Sequence, residues 1–189
     1  MKILITGGAG FIGCNLAAHL ARAGQDVTVF DNLSRRGAAA NLDWLRAEMG
    51  ERLTFVLGDV RDFAAIRAAA RGQQVLYHLA GQVAVTDSVK DPRRDFDVNA
   101  RGTLNLLEAA RKAAPKARPF YASTNKVYGK LDWVAIGARR DRYFLKRPAG
   151  GVSEAAPLDF HSPYGCSKGS ADQYVRDYAR IYGLKTVVF

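Results

Sequence analysis

Short apolar runs rich in β-branched and aromatic residues alternate along this chain with longer segments whose apolar residues recur at helical spacing. The apolar runs predict strands at Lys2–Thr6, Val27–Phe30, Leu53–Leu57, Gln74–Leu79, Arg118–Ser123 and Lys185–Phe189. The helical patterns predict helices at Gly10–Ala23, Ala38–Met49, Phe63–Arg71, Asp91–Ala114 and Ser162–Tyr182. This alternation predicts an α/β fold, a doubly wound parallel sheet with helices on both faces.

A glycine-rich turn follows the first strand, with glycines at Gly7, Gly10 and Gly13. A strand that ends in such a turn and continues as a helix presents backbone N–H groups to a phosphate. Gly7 permits the turn, Gly10 lets the backbone approach a pyrophosphate, and Gly13 lets the helix pack closely on the strand. The spacing alone is weak evidence for a dinucleotide site, because it also occurs in ordinary loops.

Carboxylates end the second and third predicted strands. Asp31 lies eighteen residues after Gly13, where it can accept both hydroxyls of an adenosine ribose and repel a 2′-phosphate. This favours NAD, although Arg35 and Arg36 could hold a 2′-phosphate and keep NADP open. Asp59 is placed either to meet an adenine edge or to serve a turn.

Polar and small residues also mark the fourth strand and the helix after it. His78 is interpreted as a packed core histidine rather than a catalytic one. Ala80 and Gly81 close that strand and allow backbone to lie against a cofactor. Asn99 is either a surface residue or holds a strand-end carbonyl near the cofactor.

The most promising chemistry lies late in the chain. Tyr164 and Lys168 are four residues apart on one helix, so they share a face. An unperturbed tyrosine phenol has a pKa near 10, and a neighbouring ammonium and a positively charged nicotinamide favour the phenolate. Ser123 and Thr124 lie at a strand end, where open α/β sheets place their chemistry, and Thr124 could bond the same substrate hydroxyl. An isolated Tyr–Lys pair is common on helices and carries no function alone.

Composition and charge limit the kinds of partner that the chain is expected to bind. The net charge is +10, but the basic residues are dispersed and no basic stripe interleaved with aromatics predicts nucleic-acid binding. No run of 18 or more apolar residues predicts a membrane span, and the start has no signal-peptide pattern, so a cytoplasmic protein is expected. Cys14 and Cys166 are interpreted as reduced, packed thiols, so neither a disulfide nor a metal site is predicted.

In combination, these motifs resemble the extended short-chain dehydrogenase/reductase family, the nucleotide-sugar epimerases and dehydratases. The matching stretches are Thr6–Gly13, Asp31-Asn32, Gly58-Asp59-Val60, His78–Gly81, Asn99, Val127-Tyr128-Gly129 and Tyr164-x-x-x-Lys168. The resemblance implies a Rossmann domain over residues 1–189, bound NAD, and a catalytic set of Thr124, Tyr164 and Lys168. The motifs and the resemblance together give the expected NAD-binding residues: Gly7, Gly10, Phe11, Ile12, Gly13, Asp31, Asn32, Ser34, Arg35, Asp59, Val60, Leu79, Ala80, Gly81, Gln82, Asn99, Ser123, Tyr164 and Lys168.

Within the family, three stretches are most similar to epimerases of CDP-sugars: Phe30–Arg35, Ser123–Gly129 and Asp159–Gly169. That similarity implies oxidation at C2 of a CDP-dideoxyhexose and reduction of the turned 2-keto sugar, with no net redox change. The family's 4,6-dehydratases carry Asp-Glu after the threonine, whereas this chain has Asn125 and Lys126. A UDP-hexose 4-epimerase and a non-catalytic NAD-binding regulator remain alternatives.

The resemblance also bears on domain organisation. Family members have a smaller C-terminal domain for the nucleotide-sugar, so this chain is expected to be the N-terminal portion of a longer protein. The segment of about 129–161 lacks periodicity and is expected to be an active-site loop that borders the sugar. Relatives pair the helices at Asp91–Ala114 and Ser162–Tyr182 across an interface, which implies a homodimer or homotetramer.

Overall fold

The computed structural model describes residues 1–148 and 150–189, and of Glu51 it describes the backbone only. The strands are β1 Lys2–Thr6, β2 Asp26–Asp31, β3 Leu53–Leu57, β4 Val75–His78, β5 Arg118–Tyr121, β6 Ala135–Ala138, β7 Tyr143–Arg147 and β8 Val187–Val188. The α-helices are α1 Phe11–Arg22, α2 Ala38–Met49, α3 Phe63–Ala70, α4 Val85–Lys90, α5 Pro92–Phe96, α6 Gly102–Ala113 and α7 Ser162–Tyr182. Within the described ranges, none of the helices combines the length and apolar character that crossing a bilayer requires.

Six of these strands form a parallel sheet in the order β3-β2-β1-β4-β5-β8. The chain winds outward from β1 to β3 and then returns to β4 on the other side of β1. The connections therefore diverge between β1 and β4, and a cleft opens there at the carboxyl ends of the strands. This topology confirms the doubly wound sheet.

Alternate residues of the strands face two apolar layers, as the two-residue period of a strand requires. Ile3 and Ile5 face the layer formed with α1 and α2, which also contains Leu45. Leu4 faces the opposite layer, where α3, α6 and α7 contribute residues such as Leu107 and Val175. Helices thus cover both faces, which explains why the central strands are apolar throughout.

The predicted helix Asp91–Ala114 is more complex than its pattern suggested. Asp91 caps the start of α5 by accepting a hydrogen bond from the Arg94 N–H at 3.0 Å. A π-helical turn at Asp97–Arg101 then joins α5 to α6, which ends at Ala113. The short helix α4 precedes them and was not predicted, because its β-branched sequence VTDSVK has little helical propensity.

The segment of about 129–161 is not wholly irregular, since β6 and β7 form an antiparallel hairpin within it. The hairpin is mostly exposed, as Tyr143 and Ile136 illustrate, so its strands lack the alternation that burial of one face produces. The final strand is also shorter than predicted, because only Val187 and Val188 pair with β5. Lys185 lies outside the sheet, whereas the backbone of Phe189 still bonds Tyr121 and Ser123.

His78 is a buried core residue, as predicted, and it links three elements. Its Nδ1 lies 2.6 Å from Thr6 Oγ1, and its Nε2 lies 3.0 Å from Thr103 Oγ1. Because Thr103 donates its hydroxyl to the Asn99 carbonyl at 2.6 Å, it accepts from His78, which fixes the proton on Nε2. Burial lowers the pKa of His78 to about 3, so the ring stays neutral.

The neutral state of His78 predicts acid sensitivity. Its pKa is near 6.5 when unfolded and about 3 when folded, so the unfolded chain binds the extra proton between these values. The stabilisation that comes from keeping His78 neutral is therefore fully present well above pH 6.5. Lowering the pH to 5 should reduce the free energy of unfolding by up to about 2 kcal/mol. Urea unfolding at pH 5 to 7.5 measures the slope.

His78→Gln should flatten that slope, whereas His19→Gln, which changes an exposed histidine of α1, should retain it. Equal slopes for His78→Gln and the parent chain would contradict the assignment.

Candidate active site

The predicted chemical residues converge on one edge of the sheet. The glycine-rich turn follows β1, Leu79–Gln82 follows β4, and Ser123-Thr124 follows β5. The first turns of α7 lie across the end of β5. The structure therefore brings the predicted cofactor turn and the predicted catalytic residues to the same cleft.

The glycine-rich turn leaves no space for side chains. Gly7 has a φ of 70°, and a Cβ there would lie 2.6 Å from the backbone nitrogen of Ala80. A Cβ on Gly13 would collide with the Gly7 carbonyl oxygen and lie 2.7 Å from Gly8 Cα. Gly10 is the extended N-cap of α1. This cradle, which side chains would fill, fits the pyrophosphate of a dinucleotide at a helix N-terminus.

Asp31 is fixed beside this turn. One carboxylate oxygen accepts from the Ala9 N–H at 3.1 Å and the other from the Leu33 N–H at 2.8 Å. The carboxylate is half-buried and lies at the carboxyl end of β2. Its position fits recognition of a ribose diol.

Of the other predicted adenosine-side residues, Asn32 is exposed and Asp59 is half-buried. Asn32 accepts from the Ser34 N–H at 3.0 Å and donates to Asp59 at 2.8 Å. Asp59 also accepts from Arg61 Nε at 2.9 Å and Nη2 at 2.7 Å, and this guanidinium holds the pKa of Asp59 well below its usual range. Arg35 is exposed. The adenine contact of Asp59 stays a prediction.

Asn99 is buried, so the alternative that it lies on the surface is wrong. Its Oδ1 accepts from the Gln82 N–H at 2.9 Å, and its Nδ2 lies 3.2 Å from the Gln82 carbonyl. The same Nδ2 lies 3.0 Å from Ser167 Oγ and 3.2 Å from Asp95 Oδ1. Asn99 thus fixes the segment after β4 and ties it to α7.

The remaining predicted cofactor residues differ in exposure. Phe11 and Ile12 are exposed at the start of α1, whereas Val60 is buried and its Cγ2 lies where a Cβ on Gly102 would be. Only the backbone of Val60 remains for a cofactor. Leu79 and Ala80 donate their N–H groups to Thr6, and Gly81 lies against Asn99; contact with NAD at these positions remains a prediction.

Thr124 and Tyr164 begin two local helices. Thr124 Oγ1 accepts from the Lys126 N–H at 3.3 Å and caps the short 3₁₀ turn Asn125–Tyr128. Tyr164 is largely buried in the first turn of α7, with Ser162 Oγ accepting from the Gly165 N–H at 3.2 Å. His161 is the N-cap residue of α7, and the Ser162 hydroxyl satisfies this N–H from the first helical position.

Lys168 is buried at the end of β5. Its ammonium donates to the Ala122 carbonyl at 2.5 Å and lies 4.2 Å from the centre of the Tyr121 ring. Burial lowers the pKa of Lys168 to about 8, and the negative charges of Asp172 and Asp95 oppose this fall. The ammonium therefore titrates close to physiological pH.

Three residues of this site were not predicted from the sequence: Asp95, Ser167 and Asp172. Ser167 donates to Asp95 Oδ2 at 2.5 Å, and burial raises the pKa of Asp95. Ser123, a predicted cofactor residue, donates to Asp172 Oδ2 at 2.6 Å. The available signal was spacing: Asp95 is four residues before Asn99, and Asp172 is four after Lys168.

The two cysteines differ from each other. Cys14 is buried as predicted, and burial raises the pKa of its thiol. Cys166 is exposed, so its interpretation as a packed thiol is wrong. Cys166 lies on the exposed side of α7, whereas its neighbours Gly165 and Ser167 are buried.

The fold and the cleft define an extended short-chain dehydrogenase/reductase, and comparison with known proteins agrees. The family model described as GDP-mannose 4,6 dehydratase matches residues 4–189, and the chain belongs to this family. Nucleotide-sugar epimerases and dehydratases both occur among its relatives.

CDP-paratose 2-epimerase of Salmonella typhi is 50% identical over 191 aligned residues, covering 100% of this chain and 56% of that protein. The solved structure of a double mutant of dTDP-glucose 4,6-dehydratase (DesIV) from Streptomyces venezuelae, with NAD bound, has a TM-score of 0.84 and 34% identity. The match covers 54% of the DesIV chain and 100% of this chain. UDP-glucose 4-epimerase of Thermus thermophilus, in complex with NAD, has a TM-score of 0.77 and 33% identity, with 100% of this chain and 54% of that chain covered. The chain thus spans about half the length of these relatives.

Gly13→Ala should damage both the fold and the cleft, because its Cβ would overlap the backbone of Gly7 and Gly8. Overpacking of this kind costs about 1–3 kcal/mol of stability. Thermal unfolding and NAD titration by calorimetry should show a lower melting temperature and weaker binding. Gly150→Ala is the matched control, since a Cβ there meets open space. Unchanged NAD affinity in a folded Gly13→Ala chain would contradict the cradle.

Proposed function

We propose that this chain is the NAD-binding part of a nucleotide-sugar epimerase, with a CDP-sugar inverted at C2 as the preferred substrate. The observation that carries the proposal is the Tyr164–Lys168 pair, which α7 holds across the end of β5, with Lys168 bonded to Ala122 two residues before Thr124. In this proposal a C-terminal domain binds the nucleotide-sugar, and the complete enzyme is a homodimer or homotetramer. The 129–161 segment borders the sugar.

The residues present fit NAD. Gly7, Gly10 and Gly13 form the pyrophosphate cradle, and Asp31 presents a carboxylate to the ribose diol. The same carboxylate disfavours a 2′-phosphate, so we propose NAD rather than NADP. When bound, NAD supplies a hydride acceptor that later returns the hydride to the sugar carbon.

Proton transfer then belongs to the protein. Lys168 holds its ammonium at the end of β5, one helical turn from Tyr164 on the same face of α7. Tyr164 takes the proton of the sugar hydroxyl as the carbon is oxidised and returns it when the ketone is reduced. Thr124 binds the same oxygen and orients it. After the keto sugar has turned its other face, reduction gives the inverted centre with no net redox change.

The preference for a CDP-sugar is supported by two stretches that meet beside Thr124. The Asp159 N–H donates to the Val127 carbonyl at 2.9 Å, and a Cβ on Gly129 would collide with Asp159. Ser123–Gly129 and Asp159–Gly169 therefore form one wall of the cleft, and both resemble CDP-sugar epimerases. The 50% identity to CDP-paratose 2-epimerase of Salmonella typhi also supports this preference.

The alternatives are disfavoured by chemistry. A 4,6-dehydratase must eliminate water, yet Asn125 and Lys126 provide no carboxyl group after Thr124. A UDP-hexose 4-epimerase would use the same residues, and the Thermus thermophilus enzyme supports it as second candidate. A non-catalytic regulator has no need for a buried ammonium beside Tyr164.

A substrate panel separates the two epimerase candidates. The protein that the gene encodes should invert CDP-paratose and CDP-tyvelose at C2 and leave UDP-galactose unchanged. Proton NMR of the sugars measures both outcomes. Inversion of UDP-galactose at C4 without change of the CDP-sugars would replace the first proposal by the second. NAD binding to the 189-residue chain, measured by calorimetry, tests the cofactor separately.

Tyr164→Phe should lower kcat by about 10²–10⁴-fold, because it removes the group that accepts and returns the proton. The folded variant should still bind NAD, which calorimetry checks, since Tyr164 is only one of the expected NAD-binding residues. Tyr174→Phe is the matched control, since Tyr174 is exposed on the same helix. Retention of full activity by Tyr164→Phe would remove Tyr164 from the mechanism.

A further inference from the structure

Asp172 extends the row of functional residues on α7. Tyr164, Lys168 and Asp172 are spaced four apart, so they lie along one face of the helix. Asp172 reaches the end of β5, where its Oδ2 accepts the Ser123 hydroxyl at 2.6 Å. Ser123 separates Thr124 from Ala122, whose carbonyl accepts the Lys168 ammonium. One hydrogen bond thus fixes the backbone between two partners of the proton-transfer site.

Asp172 also supplies charge. Of the groups whose charge acts against the effect of burial on the pKa of Lys168, Asp172 has the largest influence, followed by Asp95. Asp95, from α5, accepts hydrogen bonds from Ser167 and Asn99, and burial raises its pKa.

The other titratable groups around Lys168 do not supply that charge. His78, from β4, is neutral, and Tyr121, from β5, is kept neutral by a pKa well above its usual range. Tyr164 is the proposed proton acceptor. Negative charge near the ammonium in the resting site therefore comes chiefly from Asp172.

We propose that Asp172 is a positioning residue of the active site, which clamps Ser123 to α7 and keeps Lys168 in its ammonium form. This inference rests on the proposed function, since it treats Lys168 as part of the proton-transfer site. Without the carboxylate, the ammonium of Lys168 would be lost at lower pH. The Ser123–Thr124 segment would also lose its fixed contact with the helix.

The first test follows the Lys168 amine directly by NMR in protein with ¹³C-labelled lysine, with Lys168→Arg identifying the signal. Asp172→Asn keeps an acceptor for Ser123 but removes the charge, so the Lys168 titration midpoint should fall by about one pH unit. Asp172→Glu should restore it. Asp177→Asn, at an exposed position of the same helix, should leave it unchanged. Equal midpoints for Asp172→Asn and Asp177→Asn would overturn the charge role.

The second test uses activity of the protein that the gene encodes. In Asp172→Asn, the alkaline limit of kcat should move to lower pH in parallel with the NMR midpoint, because the ammonium is lost as pH rises through its pKa. A uniformly lower kcat with an unmoved pH profile would reduce Asp172 to a structural residue. If the parent enzyme turned over no nucleotide-sugar, the proposed function would fail, while the NMR titration would still decide whether Asp172 controls Lys168.

Discussion

The burial of one ammonium group governs the geometry of this cleft. Moving a lysine out of water costs several kcal/mol unless polar and charged partners replace the lost hydration. Here the Ala122 carbonyl, the Tyr121 ring and the carboxylate of Asp172 provide that replacement. All three partners depend on α7 crossing the end of β5, so the position of Tyr164 follows from the same requirement. The chemistry is consequently built on a rigid helix and not on a loop.

A buried polar chain connects this helix to the glycine-rich turn. Thr6, at the end of β1, bonds His78, which bonds Thr103, whose hydroxyl reaches the Asn99 carbonyl. Asn99 then contacts Ser167, the residue before Lys168. Each of these buried side chains has a partner, as burial demands. The glycine-rich turn and the α7 side of the cleft are therefore held in one register, and a shift at either end would leave several of these groups unsatisfied.

The sequence predicts those features that depend on local pattern. The apolar runs identify the six strands of the sheet, and the glycine spacing locates the turn next to Ala80. Features that depend on tertiary contact are absent from local pattern. The π-helical turn carries Asn99, whose bond to Gln82 is a tertiary contact, and the hairpin of β6 and β7 lacks a buried face that would give it a period. The spacing of Asp172 from Lys168 places it on the same helix face, but its contact with Ser123 exists only in the folded chain.

The same cleft serves epimerases and dehydratases, so specificity has to come from residues that act on the sugar after oxidation. Elimination of water needs an acid and a base beside the keto sugar, whereas epimerisation needs only that the sugar turns and is reduced again. Asn125 and Lys126, directly after Thr124, cannot supply a carboxyl pair. Under the proposed function, an intact Tyr164–Lys168 pair with no eliminating pair after the threonine would favour return of the hydride. The wall formed by Val127, Gly129 and Asp159 would then select which sugar turns within it.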